Sequence, residues 1–572
     1  MPDAPERFDA VVVGSGFGGA VTACRLAEAG QDVLVLERGR PYPPGAFPRT
    51  PHGFKANFWA PDEGLYGVFD IRSFDHLDVV LASGLGGGSL IYANVMLRKD
   101  ERTFVREDVL DGGYEDWPVT RADLDPHYDR VEDRLRPVRY PLDHAPFAAT
   151  PKTHAMLEAA GRLGLEAELP RLAVRFAADG EDPAPGRPLA ERRPNVHHAA
   201  RTTCTLVGEC DVGCNAGAKD SLDFTYLSDA QHAGATLRTC CEARVLARRP
   251  DGEWTVTYLQ HRPARAGHRD DLLDPAAAAD RRTVRAGRVV LAAGAVGSPH
   301  LLLANRAGLP GLSSQLGHRV SANGDAIAWI RDTTRLREDG VRVPRYLDPS
   351  HGPVITASIT VPAERSASGR AFHIQDAGAP AFTEWWWHGL DVPGDVWHAR
   401  RRLLMRVVDR LRGRRHSRVS GLLSALLGTA SGSAAMMPVL AMGRDFPDGR
   451  YRLDGSELQL DWHATRSRDY YRGVRSSFDQ VARALGGRTL ADPRHQLTTG
   501  LTVHPVGGCP MGSDARRGVV DPWGRVFGHP GLHVADGSTL PGPVGPNPSL
   551  TIAAFADRVA DAILDARPSP AT

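Results

Sequence analysis

The first strong apolar run, FDAVVV from Phe8 to Val13, has β-branched character and predicts a buried strand. GSGFGG follows at once. Ala20 to Ala29 has helical composition, and Gly30 is placed to end that helix in a left-handed cap. A second strand is predicted from Asp32 to Leu36, ending at Glu37. Leu237 to Arg248 reads as one further strand and Val289 to Ala293 as another, the latter running into GAVGSPHLLL. Proline- and arginine-rich stretches, Asp182 to Arg193 and Pro263 to Asp280, predict surface loops. Strands alternating with helices predict an α/β fold.

The first of these units carries its own chemistry. Gly14, Gly16 and Gly19 give GxGxxG directly after a strand and at the start of a helix. In that setting the first glycine permits the tight turn, the second lets backbone approach a pyrophosphate, and the third lets helix and strand pack closely. The helix N-terminus offers unbonded N–H groups to an anion. Glu37 ends the second strand about 20 residues further on, where a carboxylate grips a ribose hydroxyl. Strand, glycines, helix, strand and acid in this order predict a dinucleotide site. A carboxylate at Glu37 favours an unphosphorylated ribose, which leaves FAD and NAD.

Composition narrows the picture only a little. The chain has 572 residues, too many for one small core, and two connected domains are expected. At 42% hydrophobic residues it is globular, and a net charge of +1 gives no basis for general nucleic-acid binding. With a strand already beginning at Phe8 and no apolar stretch of spanning length, neither a signal peptide nor a transmembrane helix is expected, and the chain reads as cytoplasmic. Seven cysteines, an odd number, fit a reducing compartment.

SGLGGGSL, Ser83 to Leu90, brings Gly84, Gly86, Gly87 and Gly88 within five positions and continues as IYANVM. Such a backbone passes very near something flat or charged. GSGFGG, GLGGGSLIYAN, LAAGAVGSPHLLL and HPVGGC with GPNPSLT, in this order, resemble the glucose–methanol–choline (GMC) oxidoreductases. Within that family the chain is most similar to the cholesterol oxidase branch. The resemblance runs from Phe8 to Leu564 and rests partly on Asn547, where sugar and choline oxidases commonly carry His. CTLVGECDVGCNAGAKDSLDFTYL also resembles a cysteine-bearing loop of one group of cholesterol oxidases.

The resemblance implies a three-layer Rossmann-like FAD-binding domain built from residues 1–115, 200–320 and 495–572. A discontinuous mixed-sheet substrate domain, residues 116–199 and 321–494, is implied to lie over the flavin. FAD contacts are implied for Gly14, Gly16, Phe17, Gly18, Gly19, Glu37, Gly86, Gly88, Ser89, Asn94 and Met96, with the Val245 backbone at the adenine and Asp536 and Gly537 near the ribityl and pyrimidine parts. No His lies between Ser83 and Met96, so the FAD is expected to be non-covalent; His76 lies before the loop.

His504 and Asn547 are the implied catalytic pair. An alcohol releases hydride only as its hydroxyl proton is taken by a base, and an imidazole suits that task near neutral pH. Asn547 is no base, but its amide can donate to the substrate oxygen. The expected reaction is oxidation of a secondary alcohol, the 3β-hydroxyl of a sterol above others, with hydride passing to flavin N5 and then to dioxygen to give peroxide. A GMC-type oxidation of a non-steroid natural-product alcohol is the alternative, and a non-catalytic flavin-binding protein is a third reading that His504 and Asn547 together oppose.

Three further expectations concern other segments. Cys204, Cys210 and Cys214 form C-x5-C-x3-C without a fourth ligand, so a structural loop is expected rather than a metal site, and Cys509 reads as a packing residue. His398 to Arg418 carries nine arginines against Asp409, with Leu403, Leu404, Val407, Val408 and Leu411 on one helical face. That pattern suits either a peripheral membrane contact, with Trp385, Trp386 and Trp387 nearby, or an ordinary helix packed on the protein. Finally, the resemblance places Gln375, in FHIQDAG, where relatives carry the glutamate that isomerises the steroid product. Asp376 is the neighbouring carboxylate that would substitute for it.

Overall fold

The strand Arg7–Val13 and its neighbour Val33–Leu36 are apolar almost throughout, because both faces of their sheet are covered. The computed structural model describes residues 5–107, 114–262, 280–383, 436–491 and 500–565. Its first sheet runs in the order Thr236–Arg238, Val33–Leu36, Arg7–Val13, Asp280–Leu291, Trp254–Gln260, Cys241–Arg248, with Leu532–Val534 beside the end of Asp280–Leu291. Pairing is parallel from Thr236–Arg238 to Asp280–Leu291 and with Leu532–Val534. It is antiparallel in the meander formed by Cys241–Arg248, Trp254–Gln260 and Asp280–Leu291. The helix Phe17–Glu28 buries ten of its residues against this sheet and packs on the C-terminal helix Ser549–Asp565.

Two strand boundaries differ from expectation. The stretch Leu237 to Arg248 is not one strand: Thr236–Arg238 and Cys241–Arg248 are separated at Thr239 and Cys240, where Cys240 takes φ +57. The two pieces lie at opposite ends of the sheet order, so the sheet is strongly coiled and a straight strand cannot serve both ends. Asp280–Leu291 starts earlier than the apolar run suggests, because its polar first half pairs antiparallel with Trp254–Gln260. It also stops before Ala293, and the helix Gly294–Ala304 follows.

The second sheet runs Glu166–Glu168, Ser358–Val361, Phe372–Asp376, Met437–Met442, Ala326–Arg331, Arg488–Ala491, and is antiparallel at every described pairing. The mixed sheet is therefore the first one. Helices Pro151–Leu163 and Arg468–Ala484 cover one face of the second. The latter turns Tyr470, Tyr471, Val474, Phe478, Val481 and Ala482 inward at helical spacing. In Ala326–Arg331, Ala326, Ala328 and Ile330 enter this core while Ile327 and Trp329 face the other way, into a cavity between the sheets.

Among the described residues no helix is long and apolar enough to cross a membrane. The arginine-rich segment 398–418 and Trp385, Trp386 and Trp387 lie outside the described residues, as does most of the loop predicted from Pro263 to Asp280.

Candidate active site

The cavity has a volume of about 620 Å³ and runs from the first βαβ unit to the second sheet. At one end the chain leaves Val13 through Gly14, whose φ is +100 and where an added Cβ would meet Ala292 O at 2.3 Å. Gly19 lies so close to the strand that its Cβ would meet Gly14 O at 1.9 Å. Only glycine allows this turn and this approach. No side chain caps the helix at Gly16, so the N–H groups of its first turn stand unbonded. Gly16, Phe17 and Gly18 line the cavity there.

Glu37 also lines this end, but its carboxylate is already engaged. Oε2 accepts from Ser15 Oγ at 2.6 Å and Ser15 N at 3.1 Å, and Oε1 accepts from Gly39 N at 2.8 Å. It holds the Gly14–Gly16 turn and keeps about one acceptor site for a ribose. Asp536 is saturated: Gly294 N and Ser298 Oγ donate to one oxygen, Ser538 N and Ser538 Oγ to the other. Burial raises its pKa, with those donors opposing. It ties the Gly294–Ala304 helix to the turn at Gly537, and both Asp536 and Gly537 line the cavity.

Gly88 and Asn94 also line the cavity. A Cβ added at Gly88 would meet nothing within 4 Å. Asn94, at φ +69, is fully buried, and both its side-chain polar atoms lack a hydrogen-bond partner. Buried polar groups are nearly always paired, so this amide is arranged for a ligand. An uncapped helix N-terminus, an open glycine shelf and an orphaned amide fit a dinucleotide carrying a flat polar ring.

Several implied contacts fall elsewhere. Ser89 donates to Gly86 O and accepts from Leu222 N, so Ser89 and Gly86 hold the loop from behind. Met96 and Gly19 are packing residues outside the cavity lining. Val245 is 40% exposed and also outside it. The register shifts between Ala243 and Val245, and the bulge leaves Glu242, Ala243 and Arg244 on the wall instead.

His504 and Asn547 line the far end. His504 Nδ1 lies 2.9 Å from Asp325 Oδ1, and Asp325 is 2% exposed. Asp325 Oδ2 accepts from Thr502 Oγ1, Val503 N and His504 N at 2.9 to 3.1 Å. A carboxylate only accepts, so Nδ1 carries the hydrogen and Nε2 presents a lone pair. Gln375 Nε2 donates to Asn547 Oδ1 at 3.0 Å, which leaves the Asn547 Nδ2 hydrogens for a substrate oxygen. Asp325 carries no sequence signal: it lies in SANGDAIAW, 179 residues from its imidazole.

Asp376 does not substitute for a carboxylate at 375. Successive side chains of Phe372–Asp376 point to opposite faces, and Asp376 is fully buried on the far one. There it pairs with Lys152 Nζ and accepts from Thr356 N, Thr356 Oγ1 and Ala357 N. Cys204 and Cys210 sit in a small core with Tyr140 and Phe147, and burial pushes both thiols up. Burial likewise raises Cys509 well above the ordinary thiol range. His127, Asp557 and Asp561 converge as well, but Arg25 and Arg130 ion-pair with both carboxylates.

Residues 192–322 and 459–556 match the family models described as GMC oxidoreductase, and residues 12–47 match an NAD(P)-binding Rossmann-like domain. A cholesterol oxidase of Mycobacterium tuberculosis is 31% identical over 97% of this chain and 90% of its own length. The chain belongs to the GMC oxidoreductase family. Paromamine 6'-oxidase of Streptomyces fradiae is 28% identical over 98% of this chain and 92% of its own length. The solved structure of pyridoxine 4-oxidase from Mesorbium loti shares the fold, with a TM-score of 0.57 at 16% identity, covering 98% of this chain and all of that one. As a GMC oxidoreductase the chain is an oxidoreductase of alcohol donors, and its family implies a flavin cofactor.

Proposed function

We propose that this GMC oxidoreductase oxidises a secondary alcohol, the 3β-hydroxyl of a sterol, with non-covalent FAD and with dioxygen as the final acceptor. One observation carries the reading: His504, with its Nε2 lone pair, and Asn547, with its free amide hydrogens, line one cavity with the glycine cradle. FAD, when bound, supplies the acceptor for the hydride. His504 Nε2 takes the hydroxyl proton, and Asp325 holds the ring in the required tautomer and balances the imidazolium that forms. Asn547 Nδ2 donates to the substrate oxygen and fixes its direction. Ile327, Trp329, Val354, Ile355, Val439 and Leu440 give that end an apolar wall suited to a ring system and to excluding water. Likeness to a cholesterol oxidase supports the sterol, and the lack of His from Ser83 to Met96 supports a non-covalent flavin.

One observation favours a second reading, a more polar natural-product alcohol. Asp211 lines the same cavity, and its Oδ1 is buried without a protein partner. Burial pushes this carboxyl up to about 6. A carboxyl in a cavity wall suits a second hydroxyl or an amine on the substrate, and paromamine 6'-oxidase is among the relatives.

Anaerobic bleaching of the bound flavin by cholesterol, paromamine and 2-propanol tests both readings. Fast bleaching by cholesterol with peroxide formed on admitting air is expected. Bleaching by paromamine alone selects the second reading, and bleaching by none of them overturns both. Acid precipitation should release the flavin to the supernatant; flavin that stays with the pellet refutes non-covalent binding.

A further inference from the structure

Asn547 lies in PGPVGPNPS, where Pro541, Pro543, Pro546 and Pro548 have no N–H to give. Such a loop makes few hydrogen bonds of its own and must be held from outside. Asn323 holds it: Oδ1 accepts from Val544 N at 2.8 Å and Gly545 N at 3.2 Å, and Nδ2 donates to Pro546 O at 3.1 Å. Lys99 Nζ adds bonds to Pro543 O at 2.9 Å and Val544 O at 3.1 Å. Asn323 is fully buried, and its side-chain atoms are satisfied within this one loop.

Two residues further on is Asp325, the partner of His504. The intervening turn is itself stiff. Asn323 takes φ +53, its N–H donates to Ser321 Oγ, and Asp325 N donates to Ala322 O. Ser321 exchanges both backbone bonds with Val506, two residues after His504. One five-residue turn, Ser321 to Asp325, thus grips the loop bearing the imidazole and the loop bearing the amide.

We propose that Asn323 is a positioning residue for alcohol oxidation, setting the Asn547 amide against the His504 imidazole through the turn it shares with Asp325. The proposal rests on the roles given to His504 and Asn547 above. A misplacement of the order of an ångström at a reacting group costs about 10²-fold in rate, so the clamp has a measurable value.

Asn323→Gly removes the clamp while keeping the left-handed backbone at no steric cost. Asn323→Asp keeps the acceptor for Val544 and Gly545 and loses only the donor to Pro546 O. Turnover is measured with the alcohol of the panel that bleaches the flavin fastest, alongside flavin content and amide hydrogen exchange of peptides covering 541–550. Asn323→Gly should lower kcat by about 10- to 100-fold at unchanged flavin content and raise exchange in 541–550. Asn323→Asp should recover much of both. In an Asn547→Ala background, Asn323→Gly should change kcat by less than about twofold, because its effect passes through the missing amide.

Full turnover in Asn323→Gly, or an equal loss in both backgrounds, overturns the proposal and leaves the roles of His504 and Asn547 standing. Full turnover in Asn547→Ala, or no alcohol bleaching the flavin, removes those roles and the proposal with them.

Discussion

Gln375 Nε2 donates to Asn547 Oδ1 at 3.0 Å, and Gln375 Oε1 is buried without a partner beside it. The bond occupies the Asn547 oxygen and leaves its hydrogens, which the proposed function assigns to the substrate oxygen. Gln375→Leu removes that bias and should lower kcat by about tenfold with flavin retained. Gln375→Glu sets an ionised oxygen against Asn547 Oδ1, acceptor against acceptor. Its turnover should be lower than that of the parent, and the ratio of variant to parent at the same pH should rise toward one as falling pH protonates the glutamate and restores a donor. An amide at 375 also has no basic site for moving a proton between ring carbons. A Δ5-3β-hydroxysteroid should therefore give ketone with little enzymatic enone, read by ultraviolet absorbance. Rapid enone formation by the unaltered protein would contradict this.

Asp325 should matter nearly as much as the imidazole it holds. His504→Gln should lower turnover by about 10²–10⁴-fold, the usual contribution of a positioned base. Asp325→Asn replaces one accepting oxygen by an NH₂ group, and every neighbour of that carboxylate is a donor: His504 Nδ1, Thr502 Oγ1, Val503 N and His504 N. One donor must face another, and the tautomer is no longer fixed. A loss of about 10²-fold is expected at unchanged flavin content. Single-turnover flavin reduction under anaerobic conditions measures it, and a rate within twofold of the parent would remove Asp325 from the mechanism.

What could be read from the chain follows from how local each feature is. GSGFGG is legible because Gly14 and Gly19 are demanded by contacts within one βαβ unit. His504 and Asn547 are legible through the family motifs around them. Asn323 and Asp325 are not, since SANGDAIAW is an unremarkable turn until the fold brings to it His504, 179 positions beyond Asp325. Leu237 to Arg248 has strand composition throughout, and composition does not show that its two parts pair at opposite ends of one coiled sheet. Val245 is lost from the cavity by a single-residue bulge, which a period-two pattern cannot register.

Of the four lysines in the sequence, Lys99, Lys152 and Lys219 are buried, and each ties segments that line the cavity. Lys152 also neutralises Asp376. Lys152→Met leaves that carboxylate buried and unpaired, and a loss of about 3–5 kcal/mol is expected. Adding Asp376→Asn removes the stranded charge and should return a large part of it. Urea unfolding of the parent, the single variant and the double variant checks the pair. A double variant no more stable than Lys152→Met would show that the charge is not the source of the loss.

Asp445 links the turn at Ser321 to pH. Its carboxyl is 2% exposed and accepts from Ser321 Oγ and from Ala322 N at 2.9 Å. Burial pushes it up to about 7, outweighing those two hydrogen bonds. The folded protein therefore holds this proton more tightly than the unfolded chain, whose carboxyl titrates near its ordinary value of 3.8. Between about pH 4 and about pH 7 the unfolded state is the less protonated one, so stability falls as pH rises across that window and levels off above it. The full contribution is on the order of 4 kcal/mol. Buried neutral histidines such as His373 and His533, lowered by burial to about 4, act in the opposite direction over part of the range. The difference between parent and Asp445→Asn isolates the carboxyl, because the amide reproduces its neutral form and cannot ionise. Asp445→Asn should gain stability relative to the parent as pH rises from about 5 to about 8, read from urea midpoints at each pH. A difference that stays constant across that interval would show that Asp445 does not titrate there.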